Sequence, residues 1–193
     1  MIKGTLNELE IIAIKKVSRD RELQQAFGGN HPKREHRQLI GALGELAFSK
    51  AIGVYPRCSF LSNDEAKREY YDFKINNNTI EVKTVDSCTP SYTRLMVADT
   101  RASFTKINHA DYYVLMGVGF NRAATFATYE IRGWISGRQL FKDEYYSKSE
   151  NYKYKNEFTP SFPARVVQKD ELNDFAGSLL QEITTINFGR TLR

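Results

Sequence analysis

The chain has 193 residues, a net charge of +5 and an isoelectric point near 9.1, which gives length for one domain with a full core and a basic balance suited to a polyanionic partner. Cys58 and Cys88 are the two cysteines and neither has metal-ligand spacing around it, which argues against a secreted disulfide framework and a zinc site and for reduced thiols in a cytoplasmic protein. No apolar run is long enough to span a membrane, and the opening MIKGTLNELE lacks the apolar core of a signal peptide.

In chain order, Thr5 with Glu8 three residues on reads as a capping box, and a helix over 5–27 is expected from the stripe Leu6, Leu9, Ala13, Val17, Leu23 and Phe27. Lys15, Lys16, Arg19 and Arg21 lie on its polar side, where a solvated face is the commoner outcome than a grip on nucleic acid. Gly28, Gly29 and Asn30 end that helix.

A second helix spans Lys33 to Ala51, with Leu39, Ile40, Leu43, Leu46, Ala47 and Ile52 as its core stripe. Gly41, Gly44, Glu45 and Phe48 share another side. Each interior glycine costs about 1 kcal/mol against alanine, so two beside one glutamate suggest close approach to a neighbouring backbone such as a sheet. Tight helix packing with Glu45 at the rim is the plainer alternative.

Tyr70 to Thr84, YYDFKINNNTIEVKT, is a hairpin by its period-two alternation, with Asn76, Asn77 and Asn78 tolerating the positive φ of a tight turn. Pairing Ile75 with Ile80 and Phe73 with Val82 makes one face apolar throughout. The other face then carries Asp72, Lys74, Glu81 and Lys83, with Asp72 opposite Lys83 and diagonal to Glu81. Carboxylate oxygens are hard ligands for Mg²⁺, and a lysine beside them can orient water or act as a point charge on phosphate. A solvated face with cross-strand ion pairs is the alternative, since Glu65-Ala66-Lys67 and Asp72-Phe73-Lys74 repeat the acid-x-Lys pattern.

Arg57 to Phe60 suggests a short strand, and VDSCTPSYTR after Thr84 reads as a loop that would lie along a substrate. Arg94, Lys106 and their neighbours supply donors there, although each alone reads as a surface residue. Ala110 to Gly119 is a near-continuous apolar run, as a buried strand should be, and Ala124 to Ile131 is its hairpin partner. Phe141 to Phe162 interleaves lysines with Tyr145, Tyr146, Tyr152 and Tyr154, which suits phosphate contact and base stacking as well as it suits a solvated loop. Ala164 to Val167 reads as a strand and Asp170 to Ile183 as a closing helix with Leu172, Phe175, Leu179 and Ile183 on one stripe.

Asp72 followed by Glu81-Val82-Lys83 resembles the core pattern of the PD-(D/E)xK nuclease superfamily, and GALGELAF resembles the helix that often brings it a further glutamate. EIRGWIS is similar to a segment met after the core in some phage-type members. The resemblance covers roughly 34–135 of a single domain over 1–193, with the helix over 5–27 before it and a loop plus helix over 141–183 after it. It implies an α/β fold with a restriction-endonuclease-like core, a mixed central β-sheet flanked by α-helices. It further implies Mg²⁺-dependent hydrolysis of nucleic acid phosphodiesters, DNA foremost, with Mn²⁺ able to substitute. Glu45, Asp72, Glu81 and Lys83 are then the catalytic residues, and Asp72, Glu81, Glu45 and the Val82 carbonyl the metal ligands. Arg34, Arg37, Arg94 and Lys106 are the expected nucleic-acid contacts. A homodimer is compatible with this reading. The rival is a nuclease-fold protein without chemistry, serving DNA binding or the structure of an assembly.

Overall fold

The computed structural model describes residues 2–24, 32–54, 71–86, 94–98, 110–120, 125–175 and 179, without the side chains of 17–24 and 32–35. It is a mixed α/β protein. Strand β1 (Ile2–Leu6) leads into helix α1 (Glu8–Gln24), and α2 (Pro32–Ile52) follows. Strands β2 (Phe73–Ile75), β3 (Asn78–Asp86), β4 (Arg94–Ala98), β5 (Tyr112–Phe120), β6 (Ala127–Ser136) and β7 (Ala164–Gln168) complete the chain's main elements. Five of them form one mixed sheet in the order β1-β6-β5-β3-β2, in which β3 and β5 are parallel and the other pairs antiparallel. A second sheet pairs β4 with β7 antiparallel.

The first residues depart from the expected helical start. Ile2–Leu6 is an edge strand against β6, because Gly4 leaves room for the Tyr129 ring, whose hydroxyl would lie 2.4 Å from a Cβ there. The capping box is therefore Asn7 with Glu10. Asn7 Oδ1 accepts from the Glu10 N–H at 3.0 Å, and Glu10 Oε2 accepts from the Asn7 N–H at 2.7 Å. That later start turns the stripe, so Ile11 and Ile14 are buried while Leu9 is exposed. The proposed helix end at Gly28 to Asn30 lies outside the described residues, as does the strand suggested at Arg57 to Phe60.

Two cores flank the main sheet. On one side Ile80, Val82, Val114, Met116 and Ile131 pack against Leu43, Ala47 and Phe48 of α2 and Ile11 and Ile14 of α1. Phe48 is the hub, edge-on to Phe73 at 5.0 Å and to Phe175 at 5.8 Å between ring centres. On the other side Tyr113, Leu115 and Ile135 pack against Leu95 and Val97 of β4, Val167 of β7 and Leu140. β5 is thus apolar on both faces because both are covered, as its unbroken apolar run required.

The stretch that reads in the sequence as loop, VDSCTPSYTR, is strand at both ends: β3 runs on through Val85 and Asp86, and β4 starts at Arg94. Its partner β7 and the segment before it enclose a third cluster in which Tyr152 and Tyr154 are buried against Ala164 and Val166. The Tyr152 hydroxyl donates to the Phe158 carbonyl at 2.9 Å, and the Tyr154 hydroxyl accepts from the Gln168 N–H at 3.3 Å. These two rings are core residues and are not available to stack on bases. The closing helix does not begin at Asp170 either. Lys169–Glu171 is a single 3-10 turn, and Asn173 bonds by its backbone to Trp134 before Phe175 and Leu179 enter the main core.

The β2–β3 hairpin pairs Phe73 with Ile80 and Ile75 with Asn78, a shift of two from the expected register. The turn is only Asn76-Asn77, with φ of 49° and 71°, which is what a two-residue turn matched to strand twist demands. An even shift leaves each side chain on its face, so the apolar and polar faces stand as read while cross-strand partners change. Asn77→Val should cost about 1–2 kcal/mol, since a β-branched residue resists positive φ, whereas Asn77→Gly should be close to neutral. Urea midpoints of the two variants measure the difference.

Candidate metal and nucleic-acid site

Among the described residues β2 covers β3 only as far as Ile80, and no other strand pairs with the outer edge of β3 at Val82. A backbone N–H there needs a partner. Asp72, just before β2, supplies it. Its own N–H donates to the Ile80 carbonyl at 2.9 Å, and its Oδ2 accepts from the Val82 N–H at 2.7 Å. Since N–H and C=O of an extended residue point to the same edge, the Val82 carbonyl faces the Asp72 side of β3. The two-residue register shift carries Asp72 from opposite Lys83 to the level of Glu81.

Glu81 and Lys83 alternate with the core residues Ile80 and Val82, so they leave β3 on the side away from α2. The Lys83 ammonium donates to Glu81 Oε1. Glu45 comes from the α2 side and is almost wholly buried. It gets there because α2 lies directly on β3 at Gly44, where a Cβ would sit 1.8 Å from Thr84 Oγ1. This is the close approach that the helix glycines suggested; at Gly41 the space is open.

The electrostatics tie the four groups together. Burial first, then the charges of Glu81 and Glu45, push the Asp72 carboxyl well above the usual carboxylate range, against the pull of the Val82 N–H and Lys83. Burial works against the charge of Lys83, but Glu81, Asp72 and Glu45 outweigh it and its ammonium is held more firmly than in water. A fifth group was not legible in sequence. Tyr113 lies beside Glu81 in the parallel β3–β5 register, and burial followed by the Glu81 charge keeps its phenol protonated. Only the pairing of β3 with β5 brings it there. His36 was likewise missed. Its Nε2 meets Asp86 Oδ2 at 2.9 Å and ties α2 to the far end of β3.

The expected nucleic-acid contacts are dispersed. Arg37 is exposed on α2 two turns before Glu45. Arg94 opens β4 with its guanidinium 4.5 Å over the Phe158 ring and its Nε donating to Gln168 at 3.2 Å, so it serves the second sheet. The side chain of Arg34 and all of Lys106 lie outside the described residues. Among the described residues no three His, Cys, Asp or Glu side chains form a metal-holding group, and no helix is long and apolar enough to cross a membrane. Mg²⁺ does not need such a cage, because it is commonly held by one or two carboxylates and keeps several waters. The donor set is of the right kind: hard oxygens, buried and crowded enough that Asp72 resists ionisation even with the Lys83 ammonium nearby. No protein-family model matches the chain, and no curated protein or solved structure gives a significant match.

Proposed function

We propose that the chain is a Mg²⁺-dependent nuclease with a restriction-endonuclease-like core, acting on nucleic acid phosphodiesters and on DNA foremost. The observation that carries this reading is the cluster at the edge of β3, where Asp72 accepts from the Val82 N–H, Lys83 donates to Glu81, and the Glu45 charge acts on both Asp72 and Lys83. In a soluble fold such crowding of carboxylates is costly unless a cation uses it. The mixed sheet with a helix packed on the motif strand is the scaffold the resemblance calls for.

Asp72 and Glu81 would hold the ion, with the Val82 carbonyl beside them and Glu45 acting on a ligand water. A Mg²⁺ ion bound there supplies a more acidic water and neutralises charge on the phosphodiester. Lys83 would orient the attacking water or stabilise the charge that builds on the phosphate. Water adds to phosphorus and gives up a proton to solvent, one ester P–O bond breaks, and the departing oxygen takes up a proton from solvent. Arg37 and other lysines and arginines of a chain with net charge +5 supply affinity that is independent of sequence. Cys58 and Cys88, expected from the sequence as reduced thiols, are in keeping with an intracellular activity.

A second reading, a nuclease-fold protein that binds without cutting, draws on the chain's net charge of +5, which supplies affinity for nucleic acid without any chemistry. One experiment separates them: incubate the protein with plasmid, linear, single-stranded and branched DNA and with RNA, with Mg²⁺, Mn²⁺ or chelator, over a salt series. Metal-dependent cleavage that Glu81→Gln lowers by roughly 10²–10⁴ supports the nuclease. Salt-sensitive binding without any cleavage by the wild type supports the binding protein.

A further inference from the structure

The Lys83–Glu81 ion pair has no architectural work to do. Its members are two residues apart on one strand, so it joins no two elements of the fold. Both side chains are only partly exposed, 33% and 20%, which makes the pair stronger than a surface one. The ammonium sits on one of the oxygens that the metal reading assigns to the ion, and the charges of Asp72 and Glu45 also act on it.

We propose that Lys83 is the resident counter-cation of this site, paired with Glu81 when no divalent ion is bound and displaced from it when one binds. The proposal rests on the metal site described above. The chemistry of the residue fits the exchange. An ammonium is a compact charge on a flexible four-carbon stem, so it can leave Glu81 without moving β3. Once released, it is free for the phosphate or the attacking water, so metal loading and the arming of Lys83 become one event. Ion and lysine then compete for Glu81, and the chain's metal affinity is set by that competition.

The test is Mn²⁺ calorimetry on the full chain for wild type, Lys83→Met and Lys83→Arg, with NMR of the lysine Nζ groups during Mg²⁺ addition. Methionine keeps the length of the side chain and removes the competitor, so Lys83→Met should bind Mn²⁺ roughly tenfold more tightly than wild type. Lys83→Arg, which can hold the carboxylate through two N–H groups, should bind several-fold more weakly. The Lys83 Nζ signal should move on adding Mg²⁺ in wild type and stay in place in Glu81→Gln. Equal or weaker metal binding by Lys83→Met overturns the exchange. Tighter binding without movement of the Nζ signal also overturns it, because simple repulsion between two cations would then suffice. Absence of metal binding in all three proteins overturns both the exchange and the metal site. Exchange observed in a protein that cuts no nucleic acid upholds the proposal while removing the nuclease reading.

Discussion

Asp72→Asn should make the protein more stable while stripping it of metal binding and cleavage. The amide oxygen can still accept from the Val82 N–H that Asp72 Oδ2 now holds at 2.7 Å, so the open edge of β3 stays satisfied. What disappears is a buried ionisable carboxyl whose charged form burial, Glu81 and Glu45 all disfavour. Melting temperature at pH 8 should rise by roughly 3–6 °C, the scale of 1–2 kcal/mol in a chain of this length. The pH dependence has a definite sign. The folded-state pKa of Asp72 is raised, so the native state holds its proton longer than the unfolded chain does. The cost is absent below the unfolded carboxylate pKa of about 3.9, grows as pH climbs to the raised native value, and is complete above it. The advantage of the variant should therefore be full at alkaline pH and vanish near pH 4. Mn²⁺ calorimetry should lose the binding event, and cleavage should fall by roughly 10³ or more. A variant that melts lower at pH 8 and binds Mn²⁺ unchanged would sink the assignment of Asp72.

Gly44→Ala should be damaging although alanine is the better helix former. The new Cβ would lie 1.8 Å from Thr84 Oγ1 and 2.6 Å from Thr84 Cγ2, so α2 must lift from β3. Overpacking of this kind costs about 1–3 kcal/mol and sometimes more, against roughly 1 kcal/mol gained in helix propensity. Thr84 is β-branched and meets the new Cβ with its Oγ1, Cγ2 and Cβ alike, so no single rotation of its side chain clears the clash. Urea unfolding should show a net loss, and Thr84→Ala in the same chain should recover part of it, a coupling a double-mutant cycle measures. Because Glu45 is the next residue, lifting the helix should also weaken Mn²⁺ binding. A variant as stable as wild type would mean that α2 does not rest on β3 at this point.

The elements legible from sequence are those whose pattern is set locally. β5 and β6 declare themselves through an unbroken apolar run and its hairpin partner, and α2 through its stripe. The polar face of the β2–β3 hairpin survived even a wrong register, because the error was even and side chains alternate with period two. The candidate groups Glu45, Asp72, Glu81 and Lys83 were therefore nameable, and the two helix glycines pointed to a close approach that the fold makes at Gly44 alone.

What the sequence could not decide depends on which strand lies beside which. Thr5 and Leu6 look like a helix start until β6 offers Ile2–Leu6 a partner, and nothing in the sequence marks Arg94–Ala98 as a strand until β7 pairs with it. Tyr152 and Tyr154 resemble a basic, stacking surface by composition, yet the β4–β7 layer turns them inward. Tyr113 joins Glu81 only through a parallel pairing whose two strands are far apart in the chain. The chain by itself determined which residues carry charge and which strand faces they occupy, since both follow from side-chain chemistry and backbone period. The tertiary structure alone decided that β2 stops short, leaving the Val82 edge to Asp72, because strand length and pairing are settled by long-range contacts that no local pattern encodes.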